Sequence, residues 1–360
     1  MKILITADAV GGVWTYALEL IGALSEHQFA LAVMGPRMTN EQRAEAKALP
    51  NLKLFESTYA LEWMDGPWEQ VDRSSEWLLG VAAEFRPDLV HLNGYSHATL
   101  HFEAPVVVVA HSCVLSWWQA VKKTTAPAQY NEYRRRVAAG LHAANLVVAP
   151  TEAMLNSLRI NYDFRGDARV IPNARDAKLF TARAKVANIV AVGRVWDDAK
   201  NLAALDAVAP RVRWPIEIIG ETSHPNGSVA QLRNARSFGV LGAGELREHL
   251  AVSSIYVLPA RYEPFGLSPL EAGLAGCALV LGDIPSLREV WGDAAFFVEP
   301  DDRPGLEAAL NKLIRDDQLR ADLARKARAR AEEYSPPRMI EGYLRAYSDC
   351  CRQKQSKAAA

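Results

Sequence analysis

Nine short runs rich in valine, isoleucine, leucine and alanine recur along the chain, and none alternates strictly between apolar and polar residues. They are MKILIT, FALAVMG, DLVHLNG, PVVVVAHS and NLVVAPT in the first half, then NIVAVGR, IEIIGE, IYVLPA and ALVLGD in the second. Successive side chains of a strand point to opposite faces of its sheet, so a run that is apolar throughout must be covered on both sides. Segments of helical period separate the runs, which makes the covering layers helices. The pattern therefore specifies an α/β fold built on parallel sheets.

A chain of 360 residues is too long for one ordinary core, and about 100 to 200 residues per domain predicts two. The alternation breaks in VIPNARDAKLFTARAKV, which is polar and carries Pro172. Residues 171–186 read as the linker between a domain over 1–170 and a second doubly wound domain over 187–335. A final helix of about 336–355, opened by a serine and two prolines, follows the second sheet.

The chain is 49% hydrophobic and 23% charged, with a formal net charge of −1. That composition makes no global electrostatic bid for nucleic acid. The start, MKILITADAVGG, has too short an apolar stretch for a signal segment, and no run approaches the roughly 20 apolar residues of a membrane span. Cys113, Cys277, Cys350 and Cys351 form no CxxC pair, which favours a reducing cytoplasm.

Three segments carry candidate chemistry. In ITADAVGGVWTYALELIGAL, a strand leads through Gly11 and Gly12 into a helix with Ala17, Leu20, Ile21 and Leu24 on one face. The turn allows close approach of an anionic or hydroxylated ligand to the helix start. It reads equally well as a plain βα turn, and it lacks the GxGxxG fingerprint. In AVGRVWDDAKN, Gly193 ends a strand and is followed by Arg194 and Lys200, a fork and a point charge suited to a diphosphate.

The third segment, RYEPFGLSPLEAG, places Glu263 just before a helix start and Glu271 just inside it. Gly266 is the expected cap, Pro269 falls in the first turn where a missing N–H breaks no bond, and Gly276 ends the helix. Free N–H groups at Gly266, Leu267 and Ser268 would then point from the carboxyl edge of the sheet, where open α/β sheets bind ligands. Such a start attracts phosphate, and each carboxylate can accept hydroxyls. Taken alone, the two glutamates also fit simple helix decoration.

The C-terminal half resembles a retaining family 4 glycosyltransferase of the GT-B fold, through the signature E-x-F-G-x-x-x-x-E met by Glu263, Phe265, Gly266 and Glu271. The similarity extends over nearly the whole chain, through the Gly11–Gly12 turn, VVVVAHS, VVAPTEAM, VIPNARD, VGRVWDDAKN and IPSLREVWGDAAFFVEPDD. It implies two Rossmann-like domains facing across a deep cleft, with the C-terminal helix crossing back to the N-terminal, acceptor-binding domain. The second domain would bind the nucleotide sugar.

By that resemblance, Arg194 and Lys200 bind the donor diphosphate, Glu271 the ribose and Glu263 the donor sugar. Pro264, Phe265, Gly266 and Leu267 meet sugar and phosphate through their backbone. Val240 and Leu241, in SFGVLG, meet the base. Gly12 approaches phosphate or sugar, and His111 touches the donor sugar near the reaction centre; His111, Glu263, Arg194 and Lys200 form the catalytic set. The chain departs from the family in IPNARD, where IPNGVD is usual, in IIGET, and in GDIPSLREV, which lacks a double glycine. These departures bear on sugar and base preference.

The implied reaction moves a hexosyl group from a UDP- or GDP-sugar to a glycan, lipid-linked or small-molecule acceptor, with retention and without a metal or other cofactor. The Asp197 and Asp198 pair sits in a loop beside the cations and does not read as a metal site. Alternatives on the same architecture are a sugar-nucleotide 2-epimerase and a non-catalytic nucleotide-sugar-binding protein. Six of nine tryptophans lie in the first half; they suit sugar stacking, though core packing is the commoner role. SCVLSWWQAVKKTTAPAQYNEYRRR mixes indoles and cations in a way that suits the inner face of a membrane.

Overall fold

The nine apolar runs form nine parallel strands, and four more strands complete two sheets among the described residues, which are 1–224 and 227–359 of the computed structural model. The first unit comprises residues 1–119, 124–174 and the chain from Pro336 onward; the second comprises 120–123 and 175–335.

The first sheet contains β1 (Lys2–Asp8), β2 (Gln28–Met34), β3 (Leu52–Glu56), β4 (Leu89–Leu92), β5 (Val106–Val109), β6 (Leu146–Ala149) and β7 (Ala168–Val170). Their order is β3-β2-β1-β4-β5-β6-β7, and every pairing is parallel, with Ile3 opposite Phe29 and Leu89. Both faces are covered. Ile3 and Ile5 pack with Leu20 and Ile21 of the helix Gly12–Ala23 and with Tyr343 and Tyr347 of the helix Pro336–Ala359. Leu4, between them in sequence, packs on the opposite face with Leu78, Val137 and Leu155.

The second sheet contains β8 (Val186–Val192), β9 (Ile216–Ile219), β10 (Arg236–Gly239), β11 (Ser253–Leu258), β12 (Ala278–Gly282) and β13 (Phe296–Val298). It runs β10-β9-β8-β11-β12-β13, again parallel throughout. In each sheet the order reverses once, at β1/β4 in the first and at β8/β11 in the second. A doubly wound sheet binds ligands beyond the carboxyl ends of the strands at such a reversal.

The stretch 171–186 is not a free tether. Ile171 and Ala174 are buried in the core of the first unit, Phe180 is buried in that of the second, and Val186 already begins β8. Apolar side chains on both sides of the crossing at Ala174 and Arg175 hold the segment to the unit on its own side. The chain returns at Ser335 and Pro336, so the final helix belongs to the first unit.

Candidate functional site

In the second unit, the strand ends at the β8/β11 reversal gather the segments that carry charge. β8 stops at Val192, and Gly193 donates its N–H to the Ile219 carbonyl at 2.9 Å, which turns the chain out of the sheet. The loop that follows is tied to its neighbours. Asn201, with φ of 57°, donates its amide to the carbonyls of Pro259 at 2.9 Å and Pro300 at 2.6 Å. The backbone of Arg261 donates to Ala199 at 2.8 Å. The loop after β8 is thereby clamped to the loop after β11, which carries Glu263.

Within that frame each cation is held by a carboxylate. Arg194 donates from Nη2 to Asp197 Oδ2 at 2.8 Å, and its guanidinium lies 5.0 Å from the centre of the Trp196 ring. Asp197 is buried and also accepts the Ala199 N–H at 3.0 Å, so its own position is set by the turn. Lys200 Nζ reaches Glu263 Oε2 at 2.5 Å, with side chains 18% and 11% exposed. Glu263 is fixed in turn, because Ser286 donates its hydroxyl to the Glu263 carbonyl at 2.5 Å. The ammonium has three donors and the guanidinium five, so each cation keeps donors beyond the one its carboxylate takes.

Glu271 is paired as well. Its Oε1 lies 2.9 Å from Nε of Arg175, and both side chains are nearly buried. Arg175, Arg194 and Lys200 thus face Asp197, Glu263 and Glu271, and the six charges cancel. Held at short range in a partly dehydrated setting, such pairs orient one another more than they raise the local field.

The helix Leu267–Leu274 starts between the two glutamates. Its cap is Gly266, at φ of 94°, a residue with no side chain of its own to cap the first N–H groups. The left-handed conformation requires glycine, and a Cβ there would also stand 3.0 Å from Pro269 Cγ. Ser268 contributes a hydroxyl that meets Tyr256 Oη at 2.8 Å, and Phe265 is buried edge-on to Tyr334 with ring centres 5.4 Å apart. At the other end, Cys277 N–H bonds to Ala272 O at 3.0 Å and Gly276 N–H to Gly273 O at 2.9 Å. That double closure around Gly276, whose φ is 79°, stops the helix.

Toward the sheet edge, Val240 is 69% exposed, and Leu241 beside it is half-buried. They follow β10, whose Gly239 accepts the Gly220 N–H at 2.7 Å. Asp206 anchors the approach to β10 by accepting the N–H groups of Arg233, Asn234 and Ala235. Burial raises the Asp206 carboxyl, but these bonds outweigh it and hold the group below the usual carboxylate range.

The first unit places Gly12 and His111 at its own reversal. Gly12 opens the helix Gly12–Ala23 beyond β1, with Gly11 as cap and no side-chain cap bond. His111 lies just past β5, and its Nε2 is 2.8 Å from Asn93 Oδ1. Asn93 gives its amide N–H to the Thr6 carbonyl at 2.6 Å, so its oxygen must face the histidines as an acceptor. His111 therefore carries its proton on Nε2, and Nδ1 is left with a lone pair. Behind it, His91 lies 3.2 Å from the same Asn93 oxygen and 3.3 Å from Tyr16 Oη, and its Nδ1 is 2.6 Å from Tyr347 Oη. Burial, and then the neighbouring His91, lower the His111 pKa to about 3. Burial alone lowers His91 to about 3 against a small opposing effect from Asn93. Both rings are neutral at pH 7.

Sequence reasoning named neither Arg175 nor the Asn93–His91 group. IPNARD showed its arginine only as a departure from pattern, and HLNG put polar residues at the end of an apolar run, a signal that could have exposed the second. In the segment read as membrane-facing, Arg135 and Arg136 are engaged by Glu132, and Arg136 also by Asp72. No helix among the described residues is long and apolar enough to cross a membrane.

Two families match the chain: the one described as Glycosyltransferase Family 4 over residues 10–179, and the one described as Glycosyl transferases group 1 over residues 187–316. A phosphatidyl-myo-inositol mannosyltransferase of Mycolicibacterium smegmatis is 25% identical, over 91% of this chain and 87% of that protein. Among solved structures, sucrose-phosphate synthase from Thermosynechococcus elongatus superposes with a TM-score of 0.79 at 17% identity, covering 100% of both chains. HepE of Anabaena in complex with UDP-glucose gives 0.76 at 15% identity, over 97% of this chain and 100% of that one. These structural likenesses are of fold.

Proposed function

Because the chain belongs to the family 4 glycosyltransferases of GT-B type, we propose that it moves a hexosyl group from a UDP- or GDP-sugar to a carbohydrate or lipid-linked acceptor, with retention and without a metal. The observation that carries this reading is the clamped pair of loops at the β8/β11 reversal. Arg194 and Lys200 stand there in fixed positions beside the glycine-capped start of the helix Leu267–Leu274. The complex of HepE with UDP-glucose supports a nucleotide-sugar donor. The name of the mycobacterial relative supports an acceptor of lipid-linked kind.

In this reading the donor diphosphate lies on the helix start and takes hydrogen bonds from Leu267 and Ser268 N–H, Arg194 and Lys200. The bond from the anomeric carbon to the diphosphate oxygen breaks, and the electron pair leaves with the phosphate. The acceptor oxygen bonds to that carbon from the same face, and its proton passes to the departing phosphate. Charge grows on the diphosphate oxygens as the bond lengthens, and donors already in place stabilise it without reorganising. Glu263 and Glu271 take sugar and ribose hydroxyls. The donors that Arg194 and Lys200 retain, together with the helix start, supply the stabilisation that a metal gives elsewhere.

The test is a thermal-shift screen against UDP, GDP, ADP and their sugars, followed by turnover with the stabilising donor. The expected outcome is stabilisation by a uridine or guanosine nucleotide, turnover unchanged in excess EDTA, and loss of turnover in Arg194→Ala and Glu271→Ala proteins that still fold. Near-normal turnover in both variants would remove the site assignment, and abolition by EDTA with rescue by a divalent ion would remove metal independence.

A further inference from the structure

One face of a short helix brackets the Gly11–Gly12 turn at the β1/β4 reversal. From the helix Asn40–Lys47, Gln42 Nε2 donates to the carbonyl of Ala9, just ahead of the glycines, at 3.1 Å. Glu45, one turn along the same face, accepts the indole N–H of Trp14, just beyond them, at 2.8 Å. The helix is itself anchored: Ala46 is buried in the core of the first unit, and Arg43 Nε donates to both carboxylate oxygens of Glu56 in β3 at 3.0 Å. Trp14 is buried in that core too, whereas Ala9 and Val10 are half-buried and both glycines are exposed. A Cβ added at Gly11 would meet nothing within 4 Å, so packing does not confine the turn there. Ahead of the glycines the backbone is held by hydrogen bonds instead, with Asp8 Oδ1 accepting the Val10 N–H at 2.8 Å and Gln42 holding the Ala9 carbonyl.

Gln42 makes that contact with a side chain already in use. It closes a reciprocal capping box with the cap residue Thr39: Gln42 Oε1 accepts the Thr39 N–H at 3.0 Å, and the Gln42 N–H donates to Thr39 Oγ1 at 3.1 Å. The box needs only an acceptor at this position, so glutamate and glutamine fill it alike. The contact to Ala9 needs a donor, and of the two only the amide carries acceptor and donor on one planar group at neutral pH. We propose that Gln42 is a positioning residue for donor binding: its amide N–H holds the Ala9 carbonyl, and so fixes the Gly11–Gly12 turn with the first N–H groups of the helix Gly12–Ala23 in place for the ligand. The inference rests on the glycosyltransferase reading, in which Gly12 approaches the phosphate or sugar of the donor. Gln42 itself touches no part of the substrate in this scheme.

Two substitutions separate the box from the tether. Gln42→Glu keeps an acceptor for the Thr39 N–H and adds an acidic group to the first turn, which favours the helix, but its carboxylate has no proton for the Ala9 carbonyl. Thr39→Ala removes the cap hydroxyl and leaves the amide contact intact. The full chain and each variant are compared by thermal melts, by hydrogen exchange of the segment 8–14, and by isothermal titration with UDP-glucose, GDP-mannose, UDP and GDP. Gln42→Glu is expected to melt like wild type, to exchange faster in that segment, and to bind the preferred sugar nucleotide about tenfold more weakly, the worth of one hydrogen bond to an anion. Thr39→Ala is expected to melt a few degrees lower and to bind like wild type. Gln42→Met, which loses box and tether together, is the second variant if the carboxylate protein melts early, and it should show both effects. Unchanged exchange in Gln42→Glu overturns the tether, and faster exchange with unchanged affinity overturns its role in donor binding; in both cases wild-type binding leaves the glycosyltransferase reading standing. Equal loss of affinity in Thr39→Ala assigns the effect to the box and overturns the role of the Gln42 amide. A wild type that binds none of the four nucleotides overturns the donor reading, and this inference with it.

Discussion

Replacing Lys200 by methionine separates what the Lys200–Glu263 pair does for the fold from what it does for the reaction. Methionine matches the length of the lysine stem and removes only the charge. It leaves the Glu263 carboxylate, 11% exposed and 2.5 Å from where the ammonium was, without its counter-charge. Breaking a fully buried pair in this way costs about 3 to 5 kcal/mol. Here water still reaches 18% of the lysine side chain, so about 2 kcal/mol is the reasonable expectation. For a unit of this size that lowers Tm by about 4 to 8 °C.

The double variant Lys200→Met with Glu263→Gln removes the stranded charge as well, and its melting temperature should return most of the way. Turnover should not return. Loss of a principal anion donor costs about 100- to 1,000-fold in rate, and the double variant lacks both that donor and the carboxylate that contacts the sugar. The assay pairs thermal melts with initial rates at saturating donor. If turnover in Lys200→Met stays within a few fold of wild type, the diphosphate role of Lys200 is wrong. If the double variant regains activity along with stability, the pair is structural only.

Two other outcomes follow from the geometry. The histidines His91 and His111, held near pKa 3 by burial, take up protons in the unfolded chain from about pH 6.5 downward but stay neutral in the folded one. Their stabilising contribution is complete above pH 6.5 and is lost as pH falls toward 3, at up to about 1.4 kcal/mol per pH unit for each. Urea melts between pH 7 and 4.5 should show this slope, and His111→Gln should flatten it; nitrogen NMR of the histidines should find the Nε2–H form at His111, and a dominant Nδ1–H form would contradict the Asn93 contact. Separately, Gly266→Ala forces a side chain into the left-handed region, at about 1 to 2 kcal/mol, against Pro269. It should lower both stability and affinity for UDP or GDP, and an alanine protein that melts and binds like wild type would show that the helix start is not held by that turn.

The strands that the sequence displays and those it hides divide by position in the sheet. All nine apolar runs become strands with neighbours on both sides, and the four strands without such a run, β3, β7, β10 and β13, are the four sheet edges. An edge strand is covered less completely. Lys53 and Glu56 in β3, and Arg236 and Ser237 in β10, are exposed, and a charged edge also discourages pairing with another chain. The continuous apolar signal measures coverage on both faces, so it fails where coverage fails. The same holds for the linker. Its polar composition marked the crossing, but Ile171, Ala174 and Phe180, which bind it to the two cores, are too few to make a periodic pattern.

The candidate site divides along a similar line. Spacing in RYEPFGLSPLEAG fixes which side of a helix start each glutamate occupies, because that is local geometry of a few residues. It cannot fix which cation each glutamate holds, since the partners are far apart in sequence; Lys200 and Glu263 are separated by 63 positions. The pairing changes the chemistry expected of the site. Two free cations would attract a diphosphate through their field and would let its orientation follow. Cations already bound to Asp197 and Glu263 have little net field to offer, so recognition must come from the directions of the donors they retain. Affinity for the diphosphate should then depend more on the precision of those carboxylate contacts than on ionic strength, which makes Asp197 as consequential for donor binding as the arginine it holds.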